Sequence, residues 1–478
     1  MPISPMRTTM LFLKQPRSNN SAPMVHTHSA RRSVFRPDLS LVLVLAMVAL
    51  LWIAGGASRG DAMGQVIVRA GCWAILIAAI LGGARPSLAR RRPVAVLLAA
   101  TIALPFIQLI PLPPTWWQAL PGREILLIPG ETLPWRPWTM TPGATTNALS
   151  SLIVPVTMLV LMAQASDRAD RWLPTILLGM IATATLLGLL QFSGAGFNNP
   201  FLNDTPGVVS SIFANRNHFA LLLAMGCVMA PVWAFMDREA LRWRGPLAGG
   251  LVLLFVLTIL ATGSRAGALL GVLALAMALL LVGRRIRRRL QSAPGWVFPA
   301  LILAAVVVVG GFVALSFLAD RAQSIDRLIA SEGGEDMRSR ALPTVLSMIA
   351  TYMPFGSGFG GFDPVFRIHE PFDLLKLTYF NQAHNDYLGI ALDGGLAGIA
   401  LLAAGILWWL VLTIRIWRAP ESNRIVLSRL GSTMIFLILV ASLTDYPART
   451  PTIMALLVVA AVWLAQADVA KSQAALPN

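Results

Sequence analysis

Apolar runs recur along the chain from residue 38 to residue 467, and only one of the polar breaks between them, residues 320–383, is long. A run of about 18 apolar residues crosses a hydrocarbon core of about 30 Å as a helix. The pattern therefore predicts spans at roughly 38–56, 64–83, 93–110, 147–164, 172–192, 217–236, 246–262, 265–283, 296–318, 385–411, 428–445 and 450–467. This describes an all-α integral membrane protein of about twelve helices. Residues 1–37 form a basic tail, 38–318 carry the first nine spans, 319–384 form the long loop, 385–467 carry the last three spans, and 468–478 form a second tail.

The breaks carry their own patterns. Between 320 and 383, Arg321 to Ser331 reads as a short amphipathic helix. Asp336 to Tyr352 repeats Met337, Ala341, Val345 and Met348 at helical spacing until Pro354 ends it. Residues 111–146 hold Pro111, Pro113, Pro114, Trp116, Trp117, Trp135 and Trp138, too proline-rich for a helix and suited to an interfacial aromatic belt. Residues 263–267 make a very tight turn between two spans, which places Arg265 at or just beneath an interface, where it requires an anionic partner or must snorkel to the headgroups.

Composition agrees with the pattern. The chain is 56% hydrophobic and 13% charged with a mean hydropathy of +0.69, whereas a soluble domain carries about 25% charged residues. Cys72 and Cys227 lie inside apolar runs and read as small buried hydrophobes rather than as a disulfide or metal pair. No short apolar core followed by a cleavage site precedes residue 38, so the first span is expected to serve as the insertion signal.

The net charge of +16 has a topological origin. With the N-terminus inside, 25 of the 38 Lys and Arg residues fall in cytoplasmic segments, and only seven face outward apart from the long loop. Both termini are then expected in the cytoplasm, and nucleic acid is excluded as the reason for the charge.

Against this background the outward-facing polar residues converge on one chemistry. His384 closes the long loop in His384-Asn385-Asp386-Tyr387-Leu388, at a boundary where an imidazole can take a proton from a group delivered on a lipid. Arg216 and Asn217 open one span, Arg265 opens another, Arg338 and Arg340 begin the loop helix, and Asp445 and Arg449 flank the last connection. Arginine suits phosphate because its planar fork binds two oxygens and remains charged. At an effective dielectric near 20, each close Arg–phosphate contact gains about 4 kcal/mol before desolvation is subtracted. No Asp-rich pair or His/Cys cluster for a metal is evident. Gly356-Ser357-Gly358-Phe359-Gly360-Gly361 matches GxGxxG literally, but it has no preceding strand or parallel-sheet context; these glycines are expected to let the backbone turn tightly against the bundle.

Several of these motifs together resemble the O-antigen ligase and polymerase superfamily. They are Arg340 in the loop helix, Met348-Ile349, Pro354, the 356–360 glycine run with Phe362, and His384-Asn385-Asp386-Tyr387-Leu388 followed by Gly394-Gly395-Leu396-Ala397-Gly398. Asn215-Arg216-Asn217-His218 and Ser264-Arg265 also match, so the resemblance covers roughly residues 200–465. It implies a metal-independent, cofactor-free, inverting glycosyltransferase of the GT-C type on the periplasmic side of a bacterial inner membrane. The donor would be a glycan on undecaprenyl pyrophosphate, and the acceptor either a lipid A core sugar or another lipid-linked repeat unit. His384 would be the general base, Arg216 and Arg265 would hold the pyrophosphate, and Arg338 or Arg340 would bind donor or acceptor. Asn217, Asn385, Asp386, Tyr387 and Asp445 would support them.

Two other classes predict different distributions. A lipid-linked oligosaccharide flippase needs ionisable residues at mid-bilayer depth along several spans, whereas here the polar groups collect at one end. A non-catalytic subunit of a polysaccharide export assembly predicts that activity survives changes at His384.

Overall fold

The computed structural model describes residues 38–130, 132–194, 199–202, 207–237, 240–289, 336–375, 380–420 and 422–466, together with isolated positions between 294 and 311. The expected ninth span at 296–318 lies almost entirely outside the described residues, and the expected helix at 321–331 wholly outside them.

Eleven of the expected spans fall on helices. The first three are α1 (Leu39–Ala54), α2 (Met63–Gly82) and α3 (Arg92–Gln108). After a five-residue α4 (Pro114–Gln118) come α5 (Pro142–Ser151), α6 (Ile153–Gln164), α7 (Asp167–Phe192), α8 (Arg216–Met236), α9 (Leu241–Ala261) and α10 (Arg265–Arg289). The long loop contributes α11 (Asp336–Tyr352) and α12 (Phe362–His369), and the chain continues through α13 (Asp386–Arg418), α14 (Asn423–Ala441) and α15 (Pro451–Ala465). Among the described residues, seven helices are long and apolar enough to cross a membrane; α1, α3, α14 and α15 are apolar but shorter.

Local signals place the helix ends. The Asp38, Ser166, Asn215, Asn385 and Ser422 side chains each cap the helix that follows by accepting a backbone N–H. Arg287, Arg288 and Arg289 complement the negative end of α10. α8 is the central post: its residues 218–230 are buried and it packs against α7, α9, α10 and α14. Cys72 and Cys227 are buried and free, as expected.

Two elements differ from the sequence reading. The segment 111–146 was expected to hold no helix, yet proline at a first helical turn removes no needed N–H, and α4 forms with Pro114 at its start. Its tryptophans also divide: Trp116 and Trp135 are exposed, whereas Trp117 is buried and donates from Nε1 to the Pro137 carbonyl. The tenth span was expected to be uninterrupted, but Gly395 has φ +55° and ψ −145°, which breaks α13 after its second turn.

The glycine run of the long loop docks at that break. Ser357 N donates to the Leu392 carbonyl at 2.9 Å, Gly358 N to the Asp393 carbonyl at 3.0 Å, and Leu396 N to the Pro354 carbonyl at 2.9 Å. Gln108 closes the joint by donating to the Asp393 carbonyl at 2.9 Å and accepting from Phe359 N at 3.0 Å. A Cβ at Gly356 would stand 2.6 Å from the Asp393 carbonyl oxygen, so only glycine permits this approach. The glycines thus perform the packing role expected of them. Met337, Ala341, Val345 and Met348 of α11 bury against Phe362, Val365, Phe366, Phe380 and Leu392 in a second, smaller core.

Candidate functional site

The site is assembled where the ends of α8 and α13 meet the connection between α14 and α15. Asn385 caps α13, so His384 is the residue just outside the helix, and it adopts φ +49°. A left-handed conformation is uncommon for a residue with a side chain and costs of order 1–3 kcal/mol, which the surrounding contacts must offset. Those contacts turn the imidazole inward: Nδ1 lies 3.3 Å from Oδ1 of Asp445, and the ring is only 17% exposed.

Asp445 is the hub. Its Oδ2 accepts from Asn215 Nδ2 at 2.8 Å and from Asn217 Nδ2 at 2.6 Å, and its Oδ1 accepts from the Tyr446 amide at 3.0 Å. Nε2 of the buried His218 stands 4.0 Å from the same Oδ1, while its Nδ1 meets the Thr450 hydroxyl at 3.0 Å. Burial alone would push the Asp445 carboxyl up. The hydrogen bond from His384 and the nearby His218, His384 and Arg338 outweigh burial and hold the carboxyl well below the usual carboxylate range. Asp445 is thus favoured in its ionised form and held by three side-chain partners from two distant parts of the chain.

A cavity of about 290 Å³ opens beside this hub. Arg59, Arg216 and Arg338 line it together with the neutral Ser58, Asn215, Asn381 and Tyr446. His384 is not among the lining residues; its ring stands behind Tyr446 and Phe380, with centroids 5.1 and 5.2 Å away.

The other expected site residues divide. Arg216 lies against the 263–265 turn, since a Cβ on Gly263 would come 3.8 Å from its Nη1. Arg265 is exposed at the start of α10 and does not line the cavity. Its neighbour Ser264 donates to Asn217 Oδ1 at 2.7 Å and accepts from the Gly267 amide at 2.8 Å, so Asn217 ties the turn to Asp445. Arg338 donates to the Thr444 carbonyl at 3.0 Å beside the hub. Arg340 turns the other way and pairs with Asp373 at 3.3 Å. Of the two loop arginines, only Arg338 reaches the cavity, because positions two apart on a helix point to different faces.

Asn385 and Tyr387 donate to the Leu443 and Leu439 carbonyls, at 2.9 and 2.8 Å. Asp386 is buried and accepts from the Ser442 hydroxyl and the Ala448 amide. Sequence reasoning missed Asn215 and His218 as members of the cluster, although Asn215-Arg216-Asn217-His218 placed them beside Arg216. It missed Ser58, Arg59 and Asn381 altogether and read Tyr446 only as part of Asp445-Tyr446-Pro447-Ala448-Arg449, not as a site residue; a Gly-Gly pair before Ser58 was the available signal for the first two. Among the described residues, no group of three or more His, Cys, Asp and Glu is placed to hold a metal ion.

An apolar groove of about 380 Å³ runs between α3, α13, α14 and α15. Leu97, Leu402, Trp408 and Ile435 line its length, and Asp386, Ser442 and Ala448 lie at its polar margin.

The described residues form a helical bundle with membrane-length helices and a carboxylate–imidazole–arginine cluster at one end. Within it, residues 250–403 match the model of the O-antigen ligase family, and the match supports the O-antigen ligase and polymerase superfamily. The matched stretch includes Arg265, Arg338, Arg340 and His384; Arg216, Asp445 and Tyr446 lie outside it. No curated protein matches the chain.

Proposed function

We propose that the protein is an inverting glycosyltransferase of the O-antigen ligase or polymerase type. It takes a glycan from undecaprenyl pyrophosphate on the periplasmic face of a bacterial inner membrane. The acceptor is a lipid A core sugar or a second lipid-linked repeat unit. The observation that carries this reading is the contact between His384 and the ionised Asp445 beside a cavity that bears Arg216 and Arg338.

An ionised Asp445 accepts the Nδ1 proton of His384 and leaves Nε2 as the basic nitrogen. In this mechanism Nε2 takes the proton of an acceptor hydroxyl as its oxygen bonds to the anomeric carbon. The bond from that carbon to the phosphate oxygen breaks at the same time, and its electron pair leaves with the lipid pyrophosphate. Attack from the face opposite the leaving group inverts the anomeric configuration. Arg216, Arg338 and the neighbouring Arg265 offset the charge that develops on the departing pyrophosphate, a role that arginine fills without a metal. The apolar groove suits the isoprenoid chain of such a donor.

The test is incubation of purified protein with a lipid pyrophosphate-linked glycan and candidate acceptors. Product growth that His384→Ala abolishes is expected; transfer undiminished in that variant contradicts the assignment. Persistence of transfer in a chelator is expected too.

A further inference from the structure

The cavity beside Asp445 is lined by two chemically different sets of side chains, and only one set is explained by phosphate. Arg216 and Arg338 present charged donors, which can donate but not accept, while Arg59 pairs with Asp61 at 2.6 Å. Ser58, Asn381 and Tyr446 line the same cavity, three neutral residues whose side chains each donate and accept. Sugar hydroxyls are themselves neutral donors and acceptors, so this set has the chemistry of a sugar and not of an anion.

The neutral set is also built rather than incidental. The connection that carries Ser58 is pinned on both sides: Gly56 accepts from Ala214 N at 3.2 Å, and Gly55 accepts from Thr452 N at 3.0 Å. A Cβ at Gly56 would stand 1.6 Å from the Ile212 carbonyl oxygen, so the backbone there approaches α8's entry as closely as a chain can. The Tyr446 ring is wedged edge-on between His218 and His384, with centroids 5.4 and 5.1 Å away. Its phenol is buried, which pushes it up, and it is hydrogen-bonded by Ser58 and Asn381. Rigid placement of a few polar groups is what gives a small-molecule site its selectivity.

We propose that Ser58, Asn381 and Tyr446 form a subsite for the single sugar attached directly to the pyrophosphate of the donor, next to the arginines that hold the phosphates. The proposal rests on the donor reading given above and adds its sugar-recognising residues. The volume of about 290 Å³ is near the lower bound of roughly 300 Å³ for small-molecule sites. It accommodates the linking sugar and its phosphates, and the rest of the glycan extends outside.

The experiment measures binding in detergent of two probes, a polyprenyl pyrophosphate without sugar and the same lipid carrying one hexose. Wild type is compared with Ser58→Ala, Asn381→Ala and Tyr446→Phe. Each variant is expected to bind the hexose-bearing lipid about three- to tenfold more weakly, the loss of one neutral hydrogen bond, while its affinity for the bare lipid is unchanged. The unchanged affinity serves as the control for folding. Equal weakening toward both lipids, or no weakening toward either, overturns the subsite and leaves the donor reading standing. Wild-type protein that binds neither lipid overturns the donor reading itself.

Discussion

Arg449 Nη2 lies 3.3 Å from Oδ2 of Asp393, a fully buried carboxylate seven residues into the broken helix α13. The same guanidinium stands with Nε 3.8 Å from Oδ1 of Asp386, one position after the cap that follows His384. Asp393 Oδ2 also accepts from Gly360 N at 3.2 Å, so Asp393 joins the docked glycine run to the helix that presents the histidine, and Arg449 ties that joint to the connection before α15. Removing Arg449, whose side chain is 22% exposed, leaves the buried Asp393 without its charged hydrogen-bond donor and costs about 1–3 kcal/mol. Arg449→Ala is expected to lose that much stability to chemical denaturation in detergent, and Arg449→Lys less; wild-type stability in the alanine variant contradicts the latch.

The break in α13 depends on Gly395. Its φ and ψ belong to a region that only glycine occupies, and a Cβ there would stand 2.2 Å from the Pro354 carbonyl oxygen. Gly395→Ala is expected to cost about 1–3 kcal/mol or more and to release the loop at residues 354–361. Hydrogen exchange checks this: faster exchange at Ser357, Gly358 and Leu396, whose amides make the joint, is the expected result.

The two loop arginines separate cleanly. Arg338 lines the cavity, whereas Arg340 spends its charge on the exposed Asp373, and a pair of that kind contributes about 0–1 kcal/mol. Arg338→Gln is expected to lower kcat/KM for the lipid-linked donor at least tenfold, about 1.4 kcal/mol, and Arg340→Gln to remain close to wild type. Transfer assays with both variants decide it, and the reverse order contradicts the assignment of Arg338.

The pH dependence of stability follows from Asp445. Its folded carboxyl is held below its ordinary value, so its stabilising contribution is present above about pH 3.9, the unfolded value, and fades as pH falls further. Asp445→Asn is expected to be less stable than wild type above about pH 4. Below about pH 4 the margin is expected to narrow. Denaturant midpoints of the pair across pH measure it; a margin that widens on acidification contradicts the ionised hub.

Much of this was legible in the residues. The apolar runs located eleven helices, and the spacing of Met337, Ala341, Val345 and Met348 placed α11 and its buried face, because burial on a helix imposes a period that survives in the sequence. The short reach between α9 and α10 was equally plain. The break at Gly395 was hidden, since an apolar run has the same composition on either side of a kink. The centrality of Asp445 was hidden for a different reason: it sits in a connection without periodicity, 61 positions from His384 and 230 from Asn215. Choosing Arg338 over Arg340 required knowing which face of α11 meets the 444–446 connection, a tertiary fact.

The central claim is that His384 and Asp445 act as one unit on the acceptor hydroxyl. A double-mutant cycle on the rate of glycan transfer, with His384→Ala, Asp445→Asn and the two combined, tests it most directly. A positioned general base contributes about 10²–10⁴-fold, so His384→Ala is expected to lose that factor and the double variant to be no slower than His384→Ala alone. Losses that multiply in the double variant, or a His384→Ala protein that transfers at the wild-type rate, would contradict the account.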